Sequence, residues 1–293
     1  MLIATLIAAD RLSAGDISHA QDILAESGAA LTGESWVDAE KAADIRFSGD
    51  LAAARGALTA ISEPIDVIVQ TEADRAKKLF VADMDSTMIT VECLDELADY
   101  AGFKDQVSEI TERAMQGELD FIAALDERVA LLADMDADLV ARCHEERVRI
   151  SPGAGTLVRT MQAHGTRSVL VSGGFTLFAD RVAQDIGFDH AVANTLEIVD
   201  DRLTGRVIRP IVDGSAKLQL LNEEIARLGL DPGETMAIGD GANDLAMVER
   251  AGIGVAYRGK PKLRDAADAR IDHGDLTGLL YAQGYARADW VEG

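Results

Sequence analysis

The sequence predicts an α/β protein, a Rossmann-like parallel sheet carrying a helical insertion and preceded by a small α+β unit. Three observations carry this. From residue 79 onward, short apolar runs alternate with helical periodicity: Leu79–Ala82, Ser168–Val171, Ala191–Ala193, Met236–Ile238 and Gly252–Ala256. Such alternation is the signature of buried parallel strands joined by crossover helices. Residues 91–149 break the alternation with consecutive helical stretches and no strand. Residues 1–72 follow a different order, β-α-β-β-α-β.

Taken in turn, Ile3–Ala8 has a strand pattern and Ala14–Glu26 a helical one. Leu31–Val37 and Ala43–Phe47 read as strands, Leu51–Ile61 as a helix and Ile65–Gln70 as a closing strand. This is the ferredoxin-like split order, and the unit shows no catalytic constellation. Residues 73–90 hold a polar linker and the first strand of the larger unit with the loop that follows it. The helices of 91–149 enter directly after that loop. Ligands of open α/β sheets sit at the carboxyl ends of the strands, so an insertion at that edge is placed to act as a cap. Residues 150–293 complete the sheet. Within them Leu196–Val199 and Leu203–Val207, joined at Asp200-Asp201, form an antiparallel hairpin.

Composition narrows the function. A 48% hydrophobic content is ample for a full core, and the formal net charge is −23. So acidic a chain is not expected to bind nucleic acid, whose phosphates need basic faces. Any anionic substrate would need locally placed cations, so each Lys or Arg near a site is informative. The two cysteines, Cys93 and Cys143, have no metal-binding or redox spacing, and a disulfide is not expected. The apolar run Leu2–Ala9 is short and lacks preceding basic residues, so it is not read as a signal peptide. No window approaches the roughly 20 apolar residues of a membrane span. A soluble, cytoplasmic protein is the expectation.

Four motifs carry chemistry. In Leu79-Phe80-Val81-Ala82-Asp83-Met84-Asp85-Ser86-Thr87, an apolar strand delivers two carboxylates one residue apart. Taken alone, this is equally an Asp-rich loop after any buried strand. With a divalent ion bridging Asp83 and a phosphate oxygen, Asp83 could act as a nucleophile, and Asp85 as its acid–base partner. Next, Val169-Leu170-Val171 runs into Ser172-Gly173-Gly174, a hydroxyl and open amides suited to phosphate oxygens. Lys217 follows the turn Val212-Asp213-Gly214-Ser215 and offers a cation in an acidic chain. Last, Ile238-Gly239-Asp240-Gly241-Ala242-Asn243-Asp244 brings Asp240 to a strand end, with hard oxygen donors that suit Mg²⁺. The segment lacks the alternating ligands and terminal Glu of an EF-hand.

In that order, DxDST, SGG, Lys and GDGAND resemble the haloacid-dehalogenase superfamily of aspartate-nucleophile phosphatases, over residues 79 to 283. The resemblance implies that core fold with a helical cap, Mg²⁺ held by Asp83, the Asp85 carbonyl and Asp240, and Asn243 and Asp244 in support. Ser172, Gly173, Gly174 and Lys217 would bind the transferring phosphoryl group. Within the superfamily the insertion is similar to that of the bacterial phosphoserine phosphatases, enzymes of serine biosynthesis. There a Glu after the loop receives the substrate ammonium and an Arg clamps its carboxylate. The matching residues are Glu92 in Val91-Glu92-Cys93 and Arg128 in Glu127-Arg128-Val129, with Met115 and Phe121 as an apolar wall. Arg suits a carboxylate because its planar fork donates two parallel hydrogen bonds. Close analogues such as phosphohomoserine and phosphothreonine stay open, since one methylene is worth only about 1–3 kcal/mol in a pocket. A phosphotransferase on another small phosphomonoester and a non-enzymatic amino-acid sensor stay open as well. The N-terminal unit resembles ACT-like domains, which implies homodimerisation or amino-acid binding.

Overall fold

The computed structural model describes residues 1–115 and 119–292. In the N-terminal unit, β1 (Leu2–Ala8), α1 (Ala14–Glu26), β2 (Ala30–Asp38), β3 (Ala42–Ser48), α2 (Leu51–Leu58) and β4 (Ile65–Thr71) build a four-stranded sheet of order β2-β3-β1-β4. Every pairing in it is antiparallel. Side chains of β1 point alternately to the two faces. Ala4, Leu6 and Ala8 join the core under α1 and α2, whereas Ile7 belongs to the core of the larger unit. Burial on both faces explains why the Leu2–Ala9 run is apolar apart from Thr5, whose buried hydroxyl donates to Asp44 Oδ1. Helix α1 starts at a capping box, Ser13 Oγ accepting from Asp16 N while the Asp16 carboxylate accepts from Ser13 N.

The larger unit begins with β5 (Leu79–Asp83) and a five-residue turn, Met84–Met88. The insertion then supplies α3 (Cys93–Ala101), α4 (Lys104–Met115), α5 (Phe121–Ala130) and α6 (Asp138–Arg147). After it come α7 (Ala154–Ala163), β6 (Arg167–Phe175), α8 (Thr176–Ile186), β7 (His190–Val199) and β8 (Arg202–Ile208). The chain ends with α9 (Gly214–Leu228), β9 (Thr235–Gly239), α10 (Leu245–Arg250), β10 (Ile253–Tyr257), α11 (Pro261–Ala266), β11 (Ala269–Ile271) and α12 (Gly278–Ala282). The sheet has order β11-β10-β9-β5-β6-β7-β8, parallel except for β7 with β8. β5 sits at its centre, with Leu79 and Val81 buried in one core and Phe80 and Ala82 in the other. The chain leaves β5 for β6 on one side and returns to β9 on the other. That reversal opens a crevice at the carboxyl end of β5.

Three features depart from the sequence expectations. β11 is only three residues long, too short to show a pattern. β7 is one strand of ten residues rather than two segments: its register with β6 runs to Asn194, and its pairing with β8 starts at Thr195. The polar stretch between the units is pinned in place. The Arg75 guanidinium donates to both oxygens of buried Asp44, and Lys77 Nζ donates to the Asp74 and Gly233 carbonyls. Burial brings the Lys77 ammonium down to about 8. No described helix is long and apolar enough to cross a membrane.

Candidate active site

The crevice gathers residues from four strand ends and two helices of the insertion. Asp83 closes β5. Lys217, in the first turn of α9 and fully buried, donates to Asp83 Oδ1 at 2.6 Å and to Asp244 Oδ1 at 2.7 Å. Burial alone would lower this ammonium, but the two carboxylates outweigh it and hold its pKa above the ordinary value. Burial and the Asp244 charge push Asp83 well above the usual carboxylate range, against the pull of Lys217. One lysine shared by two buried carboxylates leaves the cluster short of positive charge.

Asp85 sits in the Met84–Met88 turn, which Ile89 N closes by donating to Met84 O at 3.0 Å. Ser86 there adopts φ +54°, a left-handed conformation that non-glycine residues hold only when their surroundings enforce it. Its Oγ donates to Glu92 Oε1 at 2.6 Å, and its N to Val91 O at 3.2 Å. Asp85 Oδ1 accepts from Cys93 N at 2.9 Å, and Oδ2 accepts from Ser172 Oγ at 3.2 Å. Burial, then the Glu92 charge, raises Asp85 to about 6, against those two donors.

The raised value gives a testable consequence for stability. The folded state binds the Asp85 proton more tightly than the unfolded chain, so ionising it costs stability as pH rises from about 4 to 6 and beyond. In the metal-free protein, Asp85→Asn should therefore be more stable than the parent at pH 7.5, by about 2 kcal/mol for a half-buried group. At pH 4 the two should unfold alike. Denaturant titrations at the two pH values check this, and an equal difference at both would contradict it.

β6 brings Ser172, Gly173 and Gly174 beside Asp85. The Ser172 hydroxyl, besides its bond to Asp85, accepts from Gly174 N at 2.8 Å. The glycines of this crevice provide clearance rather than tight turns. A Cβ on Gly174 would lie 2.9 Å from Asp85 Oδ2, and one on Gly239 2.3 Å from Asp244 Cγ. After β9, Asp240 reaches the same space. Asp244 Oδ2 accepts from Asp240 N and Gly241 N at 3.2 and 3.0 Å. Carboxylate oxygens of Asp83, Asp240 and Asp244 all lie within 4.8 Å of one another. With Asp244 committed to Lys217 and two amides, Asp83 and Asp240 are the ones placed to offer oxygens to a cation. Three carboxylates facing Lys217 and Lys260 leave a residual negative charge, which fits a small divalent ion.

A cavity of about 110 Å³ joins these groups to the insertion. Asp83, Asp85, Gly173, Gly174, Asp240 and Asn243 line it from the sheet, and Glu92, Phe121, Leu125 and Arg128 from the insertion. Glu92 stands just before α3, and Phe121 and Arg128 lie on α5. Phe121, at the mouth and 37% exposed, approaches Gly173, where a Cβ would lie 3.3 Å from its Cζ. Arg128 Nε donates to Ala124 O at 3.2 Å. Burial lowers its pKa against the Asp95 and Glu92 charges, and no carboxylate pairs with it among the described residues. The Met115 side chain lies outside the described residues.

Two residues were not anticipated from sequence. Lys260, just before α11, lies 3.2 Å from Asp240 Oδ2 and lines the cavity. Its signal was a cation one strand beyond GDGAND in an acidic chain. Asn194, buried on β7, donates through Nδ2 to Gly173 O at 2.9 Å and Val212 O at 3.2 Å, and its Oδ1 accepts from Val212 N at 2.7 Å. It ties the Ser172–Gly174 loop to the turn that launches α9 and Lys217. A lone amide within an apolar strand was the available signal.

The fold and the acidic cleft at the end of its central strand define a Rossmann-like α/β protein with a centre suited to a divalent cation. The haloacid dehalogenase-like hydrolase profile matches residues 80–249, and the chain belongs to that family, whose phosphatases generally use a divalent metal ion. The chain is 43% identical over 217 residues to a phosphoserine phosphatase of Archaeoglobus fulgidus, covering 73% of this chain and 63% of that protein. It is 46% identical over 230 residues to a phosphoserine phosphatase of Streptomyces coelicolor, covering 78% of this chain and 56% of that one. The chain thus spans less than two thirds of the length of either relative. Among solved structures, an unliganded probable phosphoserine phosphatase from Vibrio cholerae superposes with a TM-score of 0.78 at 33% identity, covering 98% of this chain and 87% of the other.

Proposed function

We propose that this chain is a Mg²⁺-dependent phosphoserine phosphatase, hydrolysing O-phospho-L-serine to L-serine and phosphate through an aspartyl-phosphate. The observation that carries this is the single cavity in which Asp83 and Asp85 face Glu92 and Arg128. A phosphate placed against Asp83 would leave the ammonium and carboxylate of the amino acid to an acid and a guanidinium of opposite sign. The names of the relatives support the same substrate.

Asp83, Asp240 and the Asp85 carbonyl would hold Mg²⁺, with Asn243 and Asp244 in support. When bound, the ion polarises the phosphoryl oxygen and screens the approach of an anionic nucleophile. Asp83 attacks phosphorus in line, its orientation fixed by Lys217. The bond from phosphorus to the serine oxygen breaks, and Asp85 gives its proton to that oxygen. Asp85 then takes a proton from water, whose oxygen attacks phosphorus and frees the Asp83 carboxylate. A pKa near 6 suits a group that must give and take one proton near neutrality. Ser172, the Gly173 and Gly174 amides and Lys217 neutralise charge on the transferring group. The insertion acts as a cap that excludes bulk water when closed.

Phosphate release should be fastest, per unit kcat/KM, on O-phospho-L-serine among phosphothreonine, phosphohomoserine and sugar phosphates. It should vanish with EDTA and return with Mg²⁺. A preference for a sugar phosphate would sink the substrate assignment. Arg128→Ala should lower kcat/KM for phosphoserine by roughly 10²-fold more than for p-nitrophenyl phosphate, which has no carboxylate to clamp. Equal losses would remove Arg128 from the carboxylate.

We also propose a homodimer formed through the N-terminal unit. Its support is β2, an edge strand exposed along most of its length, with Leu31 and Trp36 40% and 45% exposed. Trp36→Glu should convert the dimer to a monomer in sedimentation, and an unchanged mass would refute this interface. The two buried free thiols fit a reducing cytoplasm, which fractionation of producing cells checks.

A further inference from the structure

Among the described residues, backbone hydrogen bonds hold the helical insertion to the core at three places, and only two of them are its own ends. At the ends, Thr90 N donates to Arg149 O at 2.9 Å and Ser151 N to Met88 O at 3.0 Å. The third hold is the β7–β8 ribbon. Asp134 N donates to Leu203 O at 2.9 Å, Leu203 N to Met135 O at 2.8 Å and Ala137 N to Asp201 O at 2.9 Å. Residues 134–137 therefore lie along the ribbon tip like a short extra strand.

Farther along, β8 presses directly on α5. Gly205 has φ +75°, and a Cβ there would meet Ala133 Cβ at 3.0 Å, Ala130 O at 3.2 Å and Ala130 Cα at 3.3 Å. Glycine is required twice over, by the left-handed backbone and by the contact. Leu203 and Val207 share a core with Leu125, Val129 and Leu132. Beyond the strand, the Arg209 guanidinium pairs with the carboxylate of Asp126, two residues before Arg128. At the root of the same ribbon, Asn194 holds Gly173 O and Val212 O.

We propose that the β7–β8 ribbon sets the position of α5 over the phosphate-binding loop, and that Gly205 and Arg209 are positioning residues for the amino-acid end of the substrate. The ribbon links the loop beside Asp85 to the helix bearing Phe121, Leu125 and Arg128. The depth of Arg128 in the cavity is thus fixed by β8 rather than by the ends of the insertion. This inference rests on the phosphoserine reading for its substrate. Its geometry is independent of it.

The test compares Gly205→Ala and Arg209→Ala with the parent on O-phospho-L-serine and p-nitrophenyl phosphate, alongside hydrogen exchange of the amides of residues 121–130. Displacing α5 by a fraction of an ångström should lower kcat/KM for phosphoserine roughly 10- to 100-fold, chiefly through KM. Turnover of p-nitrophenyl phosphate should change by less than about 3-fold, since it makes no use of Arg128. Exchange across α5 should quicken in both variants. Arg209→Ala leaves the backbone unstrained, so it decides the matter should Gly205→Ala fail to fold. Unchanged kinetics, or equal losses on both substrates, would overturn the proposal. If the parent shows no preference for phosphoserine, it is the substrate assignment that has failed. Exchange in α5 then decides alone: faster exchange supports the ribbon's hold, and unchanged exchange refutes it.

Discussion

Asp83→Asn is expected to abolish turnover while leaving the fold intact. The amide keeps the size of the carboxylate, and its oxygen can still accept from Lys217 Nζ, which lies 2.6 Å from Asp83 Oδ1 in the parent. What it loses is the negative charge that would make the oxygen a nucleophile toward phosphorus. Removing the nucleophile of a covalent mechanism costs roughly 10⁴- to 10⁶-fold in kcat. Folding should not suffer, because burial and Asp244 already disfavour the ionised form of Asp83. A variant with parental circular dichroism, equal or higher thermal stability and no phosphate release is the expected result. Substantial residual turnover would mean that water, rather than Asp83, attacks the substrate.

Lys217→Met should damage both stability and catalysis. The parent ammonium is fully buried between Asp83 and Asp244, and both lose their cation together. Breaking a buried pair by removing one partner costs about 3–5 kcal/mol, because the remaining charge is left uncompensated. Methionine roughly preserves the volume, so the loss reports charge rather than a cavity. The pH dependence has a definite sign. Lys217 has a folded pKa raised above its unfolded value, so its contribution is complete at neutral pH and is lost only as pH rises through that raised value. In the variant, the deficit should be largest at neutral pH and shrink in acid as Asp83 takes up a proton. Activity should fall by roughly 10²- to 10³-fold through a misoriented nucleophile and an unscreened phosphoryl group. Urea titrations at pH 5 and pH 7.5 measure the first effect and steady-state kinetics the second. A parental Cm at both pH values would show that the cluster does not need the lysine.

Much of this site was legible in the sequence because its residues stand at strand ends. A buried parallel strand is a continuous apolar run, so the first polar residue after it lies at the carboxyl edge of the sheet. Asp83 and Asp240 could be placed on that ground alone. Lys217 was legible only by its order relative to the other motifs, and its burial between two carboxylates was not visible at all. The clearance that Gly174 and Gly239 provide was not visible, for a physical reason. Gly174 and Gly239 lack side chains because Asp85 and Asp244 occupy that space, and a sequence records no such distance. Asn194 and Lys260 act across 18 to 21 residues or between successive loops, where no local periodicity links them to their partners. The hold of β8 on α5 was hidden likewise, since it joins residues about 75 positions apart that no short-range pattern connects. The N-terminal unit followed its β-α-β-β-α-β pattern closely, because each of its strands and helices carries its own periodicity. Its tight docking through Arg75 and Asp44 did not show.

The central claim is that the phosphoryl group passes through Asp83. It is tested most directly by mixing the Mg²⁺-loaded enzyme with O-phospho-L-serine, quenching with acid on the millisecond scale and mapping the peptides by mass. A phosphoryl group should appear on the peptide bearing Asp83, rising and decaying at rates that account for phosphate release. Release at the full rate with no modified peptide, or with the label on another residue, would contradict the account.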